Sequence, residues 1–170
     1  KGIFRNRKIK PLVGDNVDIE ILDADKEKGN IVDILTRKNE LIRPASANID
    51  QSMIIFAAAN PQPNFNLLDK SLVMMDYQDV PTVICFNKCD MVSEEEQKEL
   101  EDIYSGCGCK VIFTSTFTGY GMDIVKELLK HKTTVLAGPS GVGKSSLTNL
   151  ILPEAKMETG GVSRIGRGRH

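Results

Sequence analysis

One octapeptide constrains this 170-residue chain more than any other stretch of it. The segment "GPSGVGKS" fits the pattern G-x-x-x-x-G-K-[ST] at every fixed position, with Gly138, Gly143, Lys144 and Ser145. The apolar run "TTVLA" precedes it and "SLTNLIL" follows, so the octapeptide joins a predicted strand to a predicted helix. Such a loop wraps phosphate groups with its backbone N–H groups, and the helix presents its positive end to them. The sequence therefore predicts an α/β fold with a phosphate-binding loop.

Nine consecutive residues of this loop are candidates for contacts with a nucleotide. Lys144 is expected to reach the β and γ phosphate oxygens and so to act in catalysis, and the Ser145 hydroxyl is expected to ligate Mg²⁺. The residues expected to hold the nucleotide are Gly138, Pro139, Ser140, Gly141, Val142, Gly143, Lys144, Ser145 and Ser146. The alternative is a glycine-rich turn that binds nothing, and the complete pattern in its strand-to-helix context argues against it.

Upstream of this loop, apolar strands alternate with helices from Met53 onward. The predicted strands are "MIIFAAA", "PTVICF", "KVIFTS" and "TTVLAG", and the predicted helices between them are "NFNLLDKSLVMMDY", "SEEEQKELEDIY" and "GMDIVKELLKH". Ser93 and Glu96 predict a capping box at the start of the second helix. The apolar residues placed near one face of the first helix are Leu67, Leu68, Leu72 and Met75. This alternation predicts a parallel sheet covered by helices on both faces.

A second motif, "FNKCD", ends the strand "PTVICF" and predicts a guanine-reading loop at Asn87, Lys88, Cys89 and Asp90. The Asp90 carboxylate would accept hydrogen bonds from the guanine N1–H and 2-amino group, which adenine cannot match. Asn87 would touch the edge of the base and tie the loops together, and Lys88 would lay its aliphatic stem across the ring. The alternative is a polar loop in which Asp90 serves only as a turn or cap residue.

A third loop, "FTSTFTGYG", follows the next strand and places Ser115 and Thr116 where their backbone N–H groups could meet the guanine O6. All three loops follow the carboxyl ends of strands, where ligands bind in open α/β sheets. The base-reading loops nevertheless precede the phosphate loop in the chain. A parallel sheet tolerates this order because a site depends on where the strands lie, so the sequence predicts a circular permutation.

The first part of the chain has a different pattern. "GDNVDIEIL" alternates with Val17, Ile19 and Ile21 on one face, "KEKGN" supplies a turn, and "IVDIL" reads as the next strand. These short strands predict a small all-β barrel over residues 1–45, before an α/β domain over residues 46–170. The chain lacks a starting Met and stops in a Gly/Arg-rich segment, so we expect it to be part of a longer protein.

Composition limits the partners and the compartment. The formal net charge is -1, so any basic surface has to be local, as in "KGIFRNRKIK" at the start and "RIGRGRH" at the end. No apolar stretch has the length of a membrane-spanning helix, and no signal peptide opens the chain, so no membrane partner is expected. The four cysteines do not form a disulfide framework, which favours reduced thiols in a cytoplasmic protein.

The whole chain resembles the circularly permuted, ribosome small-subunit-dependent GTPase family. The resemblance is carried by "GIFRNRKIKPLVGDNVDIEI", "TRKNELIRPASANIDQ", "NKCD", "GPSGVGKSS" and "GVSRIGRGRH". It implies an OB-fold barrel at 1–45, incomplete at its start, and a permuted GTPase domain at 46–170 that ends within its first switch. It also implies GTP or GDP with Mg²⁺ as cofactors, the small (30S) ribosomal subunit with its 16S rRNA as partner, and a cytoplasmic monomer. Zn²⁺ belongs to the family, but its ligands are not in this chain.

The resemblance implies a GTPase that acts in late maturation of the small subunit, with hydrolysis stimulated by that subunit. His170 lies in the switch region and is the candidate for orienting the attacking water, the alternative being an exposed histidine near a chain end. A second hypothesis is a GTP-gated RNA-binding module with incidental turnover. A third is an ATP-using protein with the same phosphate loop.

Overall fold

The computed structural model describes residues 10–23, 26 and 28–155. The chain divides into two compact units, and the division falls between Ile49 and Asp50. The domain boundary predicted at residues 45 and 46 stays a prediction. No helix within the described ranges is long and apolar enough to cross a membrane.

The first unit is built from short antiparallel strands. Strands β1 (Val17–Asp23) and β2 (Lys28–Ile34) pair with each other, and β3 (Glu40–Leu41) pairs with β4 (Ser46–Ala47). The alternation predicted for β1 does not produce a covered face, since Ile19 and Ile21 are both exposed. The strands described in this unit form two separate two-stranded ladders, so the closed barrel stays a prediction.

A guanidinium group holds the first unit together on one side. Arg37 donates to both carboxylate oxygens of Asp15, at 2.6 and 2.9 Å, and to Glu40 Oε2 at 2.6 Å. It also donates to the backbone carbonyl of Lys10 at 2.7 Å. The hydrogen bond from Arg37 is the main reason that the pKa of Asp15 lies below its ordinary value. One side chain thus joins the segment before β1 to the start of β3.

The second unit is the predicted alternation of strands and helices. Its strands are β5 (Gln51–Ala57), β6 (Thr82–Asn87), β7 (Lys110–Phe113) and β8 (Thr134–Ala137). Its helices are α1 (Phe65–Tyr77), α2 (Glu94–Tyr104), α3 (Met122–Leu129) and α4 (Lys144–Ile151), with 3-10 turns at Cys89–Met91 and Pro153–Ala155. All strand pairs are parallel, in the order β7-β6-β5-β8. The predicted parallel sheet is confirmed, and so is the capping box of α2.

The central strands of the sheet, β5 and β6, are buried on both faces, because their middle residues form continuous apolar runs. Every residue of β5 is buried. Met53 and Ile55 share a core with Val125 of α3 and Leu147 of α4. In β6, the ring centroid of Phe86 lies 6.2 Å from that of Tyr104 in α2. Helices therefore cover the two faces, as the alternation predicted.

The strand order reverses at β5. The chain proceeds from β5 to β6 and β7, and then returns to place β8 on the other side of β5. Such a reversal opens a crevice at the carboxyl ends of the two diverging strands. Gly138 follows β8 directly, and a Cβ there would lie 2.0 Å from the Ile55 carbonyl oxygen. Only glycine allows the phosphate loop to leave β8 this close to β5.

Candidate functional site

Three loops meet at one buried side chain, that of Asn87. Its amide nitrogen donates to the Val142 carbonyl at 2.8 Å, in the loop after β8. Its amide oxygen accepts from the Thr114 hydroxyl at 3.2 Å and from the Thr116 N–H at 3.3 Å, in the loop after β7. Asn87 itself is the last residue of β6 and is fully buried. The three predicted loops therefore form one site, and Asn87 ties them together.

The phosphate loop curls around the Lys144 ammonium. Lys144 donates to the backbone carbonyls of Gly138, at 2.8 Å, and Pro139, at 2.5 Å. The ammonium has three donors, so one remains for a further acceptor within the curl. Burial lowers the pKa of Lys144. Burial disfavours the charged ammonium, and its described partners are neutral carbonyl oxygens. A negatively charged phosphate oxygen would therefore stabilise it.

The loop conformation depends on Gly141 and Gly143, whose φ angles are +80° and +95°. Gly143 caps the amino end of α4, and a Cβ at this residue would lie 2.2 Å from the Asn87 amide nitrogen. The base loop and the phosphate loop thus approach so closely that there is no space for a side chain between them. The sequence pattern fixes Gly143 but not Gly141, and it did not reveal this contact.

Ser145 and Ser146 lie in the first turn of α4 and are partly exposed. Neither hydroxyl hydrogen bonds to any residue that the structure describes. A hydroxyl at a helix amino end, beside a phosphate loop, suits Mg²⁺, which prefers oxygen ligands and takes several of them from phosphates and water. Of the remaining loop residues, Ser140 is exposed, Pro139 is partly exposed and Val142 is buried.

Lys88 connects the base loop to the phosphate loop. It adopts a left-handed backbone conformation with φ +62°. Its ammonium donates to the Gly141 carbonyl at 2.8 Å and to the Asn60 carbonyl in the loop after β5. Sequence reasoning missed Asn60. The signal available was its position in "ANPQP", directly beyond the carboxyl end of β5.

Cys89 and Asp90 form the start of the 3-10 turn that follows. Cys89 is buried, its N–H donates to the Thr114 carbonyl at 3.1 Å, and burial raises the pKa of its thiol. Asp90 is exposed, and its carboxylate accepts no hydrogen bond from the described part of the chain. The carboxylate is thus available to a ligand, and its role in reading guanine stays a prediction.

The loop after β7 differs from the expectation in detail. The Ser115 N–H donates to the Tyr120 carbonyl at 3.0 Å, and the Thr116 N–H donates to Asn87. Ser115 is buried, and its hydroxyl accepts from the Thr118 N–H at 3.1 Å, so it supports the turn. Phe117, next in the chain, has an N–H with no acceptor among the described residues. Sequence reasoning missed this donor, although "STFTG" is a turn-forming run.

His170 and the three arginines predicted near it, Arg164, Arg167 and Arg169, lie outside the described residues. The water-orienting role of His170 therefore stays a prediction. The site as described contains groups that can hold a base and phosphates at the carboxyl edge of the sheet.

Comparison with known proteins identifies the family. Residues 34–170 match the RsgA GTPase family. The chain belongs to that family. It is 57% identical over 171 residues to the small ribosomal subunit biogenesis GTPase RsgA of Agathobacter rectalis, covering 100% of this chain and 57% of that protein. It is 47% identical to the protein of the same name from Alkaliphilus metalliredigens, covering 59% of it. The chain thus spans less than two thirds of the length of these relatives.

Solved structures agree with this membership of the RsgA GTPase family. YjeQ from Thermotoga maritima superposes with a TM-score of 0.76 at 39% identity, over 90% of this chain and 55% of the other. YloQ, described as a circularly permuted GTPase, gives 0.69 at 37% identity, over 91% and 54%. The resemblance proposed from the sequence is confirmed, and the parallel four-stranded sheet fits a circularly permuted GTPase domain.

Proposed function

We propose that this chain binds guanine nucleotides and hydrolyses GTP, as part of a factor that acts in late maturation of the small (30S) ribosomal subunit. The observation that carries the proposal is the convergence on Asn87. This residue holds the base loop, the loop after β7 and the phosphate loop together. One nucleotide can therefore bind with its base and its phosphates in contact with loops that are far apart in the chain.

Different described residues contact the base and the phosphates. The exposed Asp90 carboxylate accepts from guanine, and the stem of Lys88 covers the ring while its ammonium stays on the phosphate loop. The backbone of residues 138–146 surrounds the phosphates, and Lys144 neutralises charge that develops on them. The Ser145 hydroxyl is the ligand offered to Mg²⁺, which when bound supplies further charge neutralisation.

The names of the curated relatives support an assignment to small-subunit biogenesis. In that context we propose that the first unit is an OB-fold that contacts 16S rRNA. Its two antiparallel ladders and the basic segment before β1, of which Lys10 is described and exposed, support this. The whole protein would be a cytoplasmic monomer. Zn²⁺ is expected for the family, and no zinc ligand is assigned to any residue here.

Release of phosphate from GTP, measured with and without purified small subunits, tests the proposal. We expect slow turnover alone and faster turnover with subunits, and a Lys144→Ala variant should show neither. Binding should weaken steeply with salt if rRNA phosphates are contacted, because those contacts release counterions. Tight nucleotide binding with no stimulation would instead indicate the GTP-gated RNA-binding module. Preference for ADP over GDP would indicate an ATP-using protein.

A further inference from the structure

A groove of about 820 Å³ lies on the edge of the sheet opposite the nucleotide loops. It runs between α1 and the end of α2, and it reaches Thr82 and Cys109, at the amino ends of β6 and β7. Asn87 is at the other end of β6. A six-residue strand spans roughly 20 Å, so the groove is separate from the nucleotide site.

Part of the groove lining consists of exposed apolar side chains. Val73 of α1 is 68% exposed and Ile103 of α2 is 57% exposed, and the half-buried Leu72 also lines the groove. Isolated exposed apolar residues are common, but a concave site that several of them share is typical of a binding surface. Its volume falls within the range of sites that take a peptide side chain or a small ligand.

The charge of the groove is all of one sign. Asp69, Asp76 and Asp79 line it, and no lysine, arginine or histidine of the described ranges does. No described lysine or arginine forms an ion pair with these three carboxylates. Residues 64–104, which include α1 and α2, contain ten acidic and three basic residues, a net charge of -7 in a chain whose total is -1. The segment that supplies most of the groove walls is thus the strongly acidic part of the chain, and three of its carboxylates line the groove.

The groove is anchored to the core of the second unit. The Tyr104 hydroxyl donates to Asp69 at 3.0 Å, and the Tyr104 ring packs against Phe65 and Phe86 at centroid distances of 6.4 and 6.2 Å. One of the three carboxylates is therefore fixed in place by a buried ring. A preformed site loses less entropy on binding than one that must first become ordered.

We propose that this groove docks a lysine- or arginine-rich segment of a partner protein, whose apolar side chains contact Val73 and Ile103 while its cations face Asp69, Asp76 and Asp79. RNA fits this groove poorly, because its phosphates would meet three carboxylates and no lysine or arginine among the described residues that line it. Complementary charge sets the orientation and the rate of docking, and the apolar contacts provide most of the affinity. The proposal does not depend on GTP hydrolysis.

The test uses the whole chain and a fluorescent 14-residue peptide with leucine and lysine on opposite faces of a helix. Anisotropy should show saturable binding that weakens with salt. Ile103→Asp should lower the affinity at least about 10-fold, as expected for the loss of an interface anchor. Ile124→Asp, which makes the same change at an exposed position of α3, should have little effect. Asp76→Asn should weaken binding of the peptide and reduce the salt dependence of that binding. Glu101→Gln is the control, because it removes one charge at an exposed position outside the groove, and its effects should be smaller.

Three results would overturn the proposal. The first is equal binding by the parent chain and Ile103→Asp, and the second is equal effects of Asp76→Asn and Glu101→Gln. The third is displacement of the peptide from the groove by a single-stranded RNA of similar length. If GTP hydrolysis failed but the peptide still bound as described, only the proposed enzymatic function would be rejected.

Discussion

The Asn87 amide nitrogen and the Val142 carbonyl oxygen, 55 positions apart in the chain, are joined by a buried hydrogen bond of 2.8 Å. Asn87 ends the strand that leads into the base loop, and Val142 lies at the middle of the phosphate loop. Asparagine suits this position because one side chain offers both donors and an acceptor. Aspartate would place a carboxylate against a carbonyl, and alanine would remove three hydrogen bonds from the site.

Asn87→Ala should therefore destabilise the second unit as well as its ligand site. Removal of the amide leaves the Val142 carbonyl and the Thr116 N–H without their Asn87 partner. Among the described residues, it leaves the Thr114 hydroxyl with only the Cys85 thiol. We expect a loss of about 2–4 kcal/mol in the free energy of unfolding, measured by urea denaturation without nucleotide. Asn66→Ala, on the exposed surface of α1, is the control and should leave stability nearly unchanged. Equal stability of the two variants would contradict the structural role of Asn87.

Alanine substitutions at three glycines distinguish the cost of a steric clash from the cost of a positive φ angle. A Cβ at Gly106 meets nothing within 4 Å, and Gly119 is equally open but has φ +83°. Gly143 has φ +95°, and its Cβ would lie 2.2 Å from Asn87. Substitution by alanine should be harmless at Gly106, cost about 1 kcal/mol at Gly119, and cost most at Gly143. Thermal unfolding and GDP titration of each variant measure this order, and a Gly143→Ala variant that binds GDP normally would disprove the close contact.

The sequence predicted the parts of this fold that are encoded locally. The strands and main helices of the second unit, and three of its loops, were predictable because apolar runs, caps and glycine patterns act over a few residues. Helix α1 shows the limit. Leu68 and Met75 are buried as expected, but Leu67 is 42% exposed, since it lies about 100° around the helix from Leu68. The acidic groove was not predictable, because residues from separate elements form its walls.

The hydrogen bonds within the site were only partly predictable. The role of Asn87 in tying the loops followed from its place at a strand end. The expectation for Ser115 did not anticipate that its N–H is used by Tyr120, because that bond depends on how the loop turns back on itself.

In the first unit the two longer strands were predicted, although β2 begins at Lys28 and so includes Gly29 and Asn30, which the sequence placed in a turn. The short strands β3 and β4 were not predicted. The exposure of Ile19 and Ile21 depends on contacts that alternation alone does not specify.

Asp90→Asn should change which base is bound while leaving the fold intact. Asp90 is exposed and bonds to no described residue, so the substitution removes a negative charge without breaking a protein contact. An amide can pair with the carbonyl that xanthine carries where guanine has its amino group. Competition between GDP and xanthosine diphosphate should therefore shift toward xanthosine by at least about 10-fold. Unchanged preference would show that another group reads the base.

Lys144→Met should abolish measurable nucleotide binding and change the response of stability to pH. Burial holds the pKa of Lys144 below its ordinary 10.5. The unfolded chain therefore binds more protons as that pKa is approached, and the parent protein gains stability relative to Lys144→Met as the pH rises toward 10.5. Calorimetric titration with GDP, and urea unfolding at pH 7 and pH 10, provide the two measurements. A parent chain that loses stability relative to Lys144→Met as the pH rises would contradict the assigned burial.

Arg37→Met tests the first unit by its acid sensitivity. The Asp15 side chain is 4% exposed and its pKa is lowered mainly by the hydrogen bond from Arg37. A carboxylate whose pKa is lower in the folded state than in the unfolded chain stabilises the fold. The stabilisation is complete above the pKa of the unfolded chain, near 3.8. It is lost as the pH falls through the pKa of the folded state. The variant lacks that contribution at every pH. The difference from the parent chain should thus be largest at pH 6–7 and should shrink on acidification below about pH 4.

Hydrogen exchange provides a readout local to this unit. The Ala47 N–H donates to the Val13 carbonyl at 2.8 Å, close in the chain to the loop that contains Asp15. Its exchange should accelerate in Arg37→Met at pH 6–7, while amides of β5 remain protected. Lys130→Met serves as the control because Lys130 pairs with Glu127 at 3.9 Å between two exposed side chains, where an ion pair contributes little. Equal exchange of Ala47 in the parent chain and in Arg37→Met would show that the guanidinium does not hold these segments together.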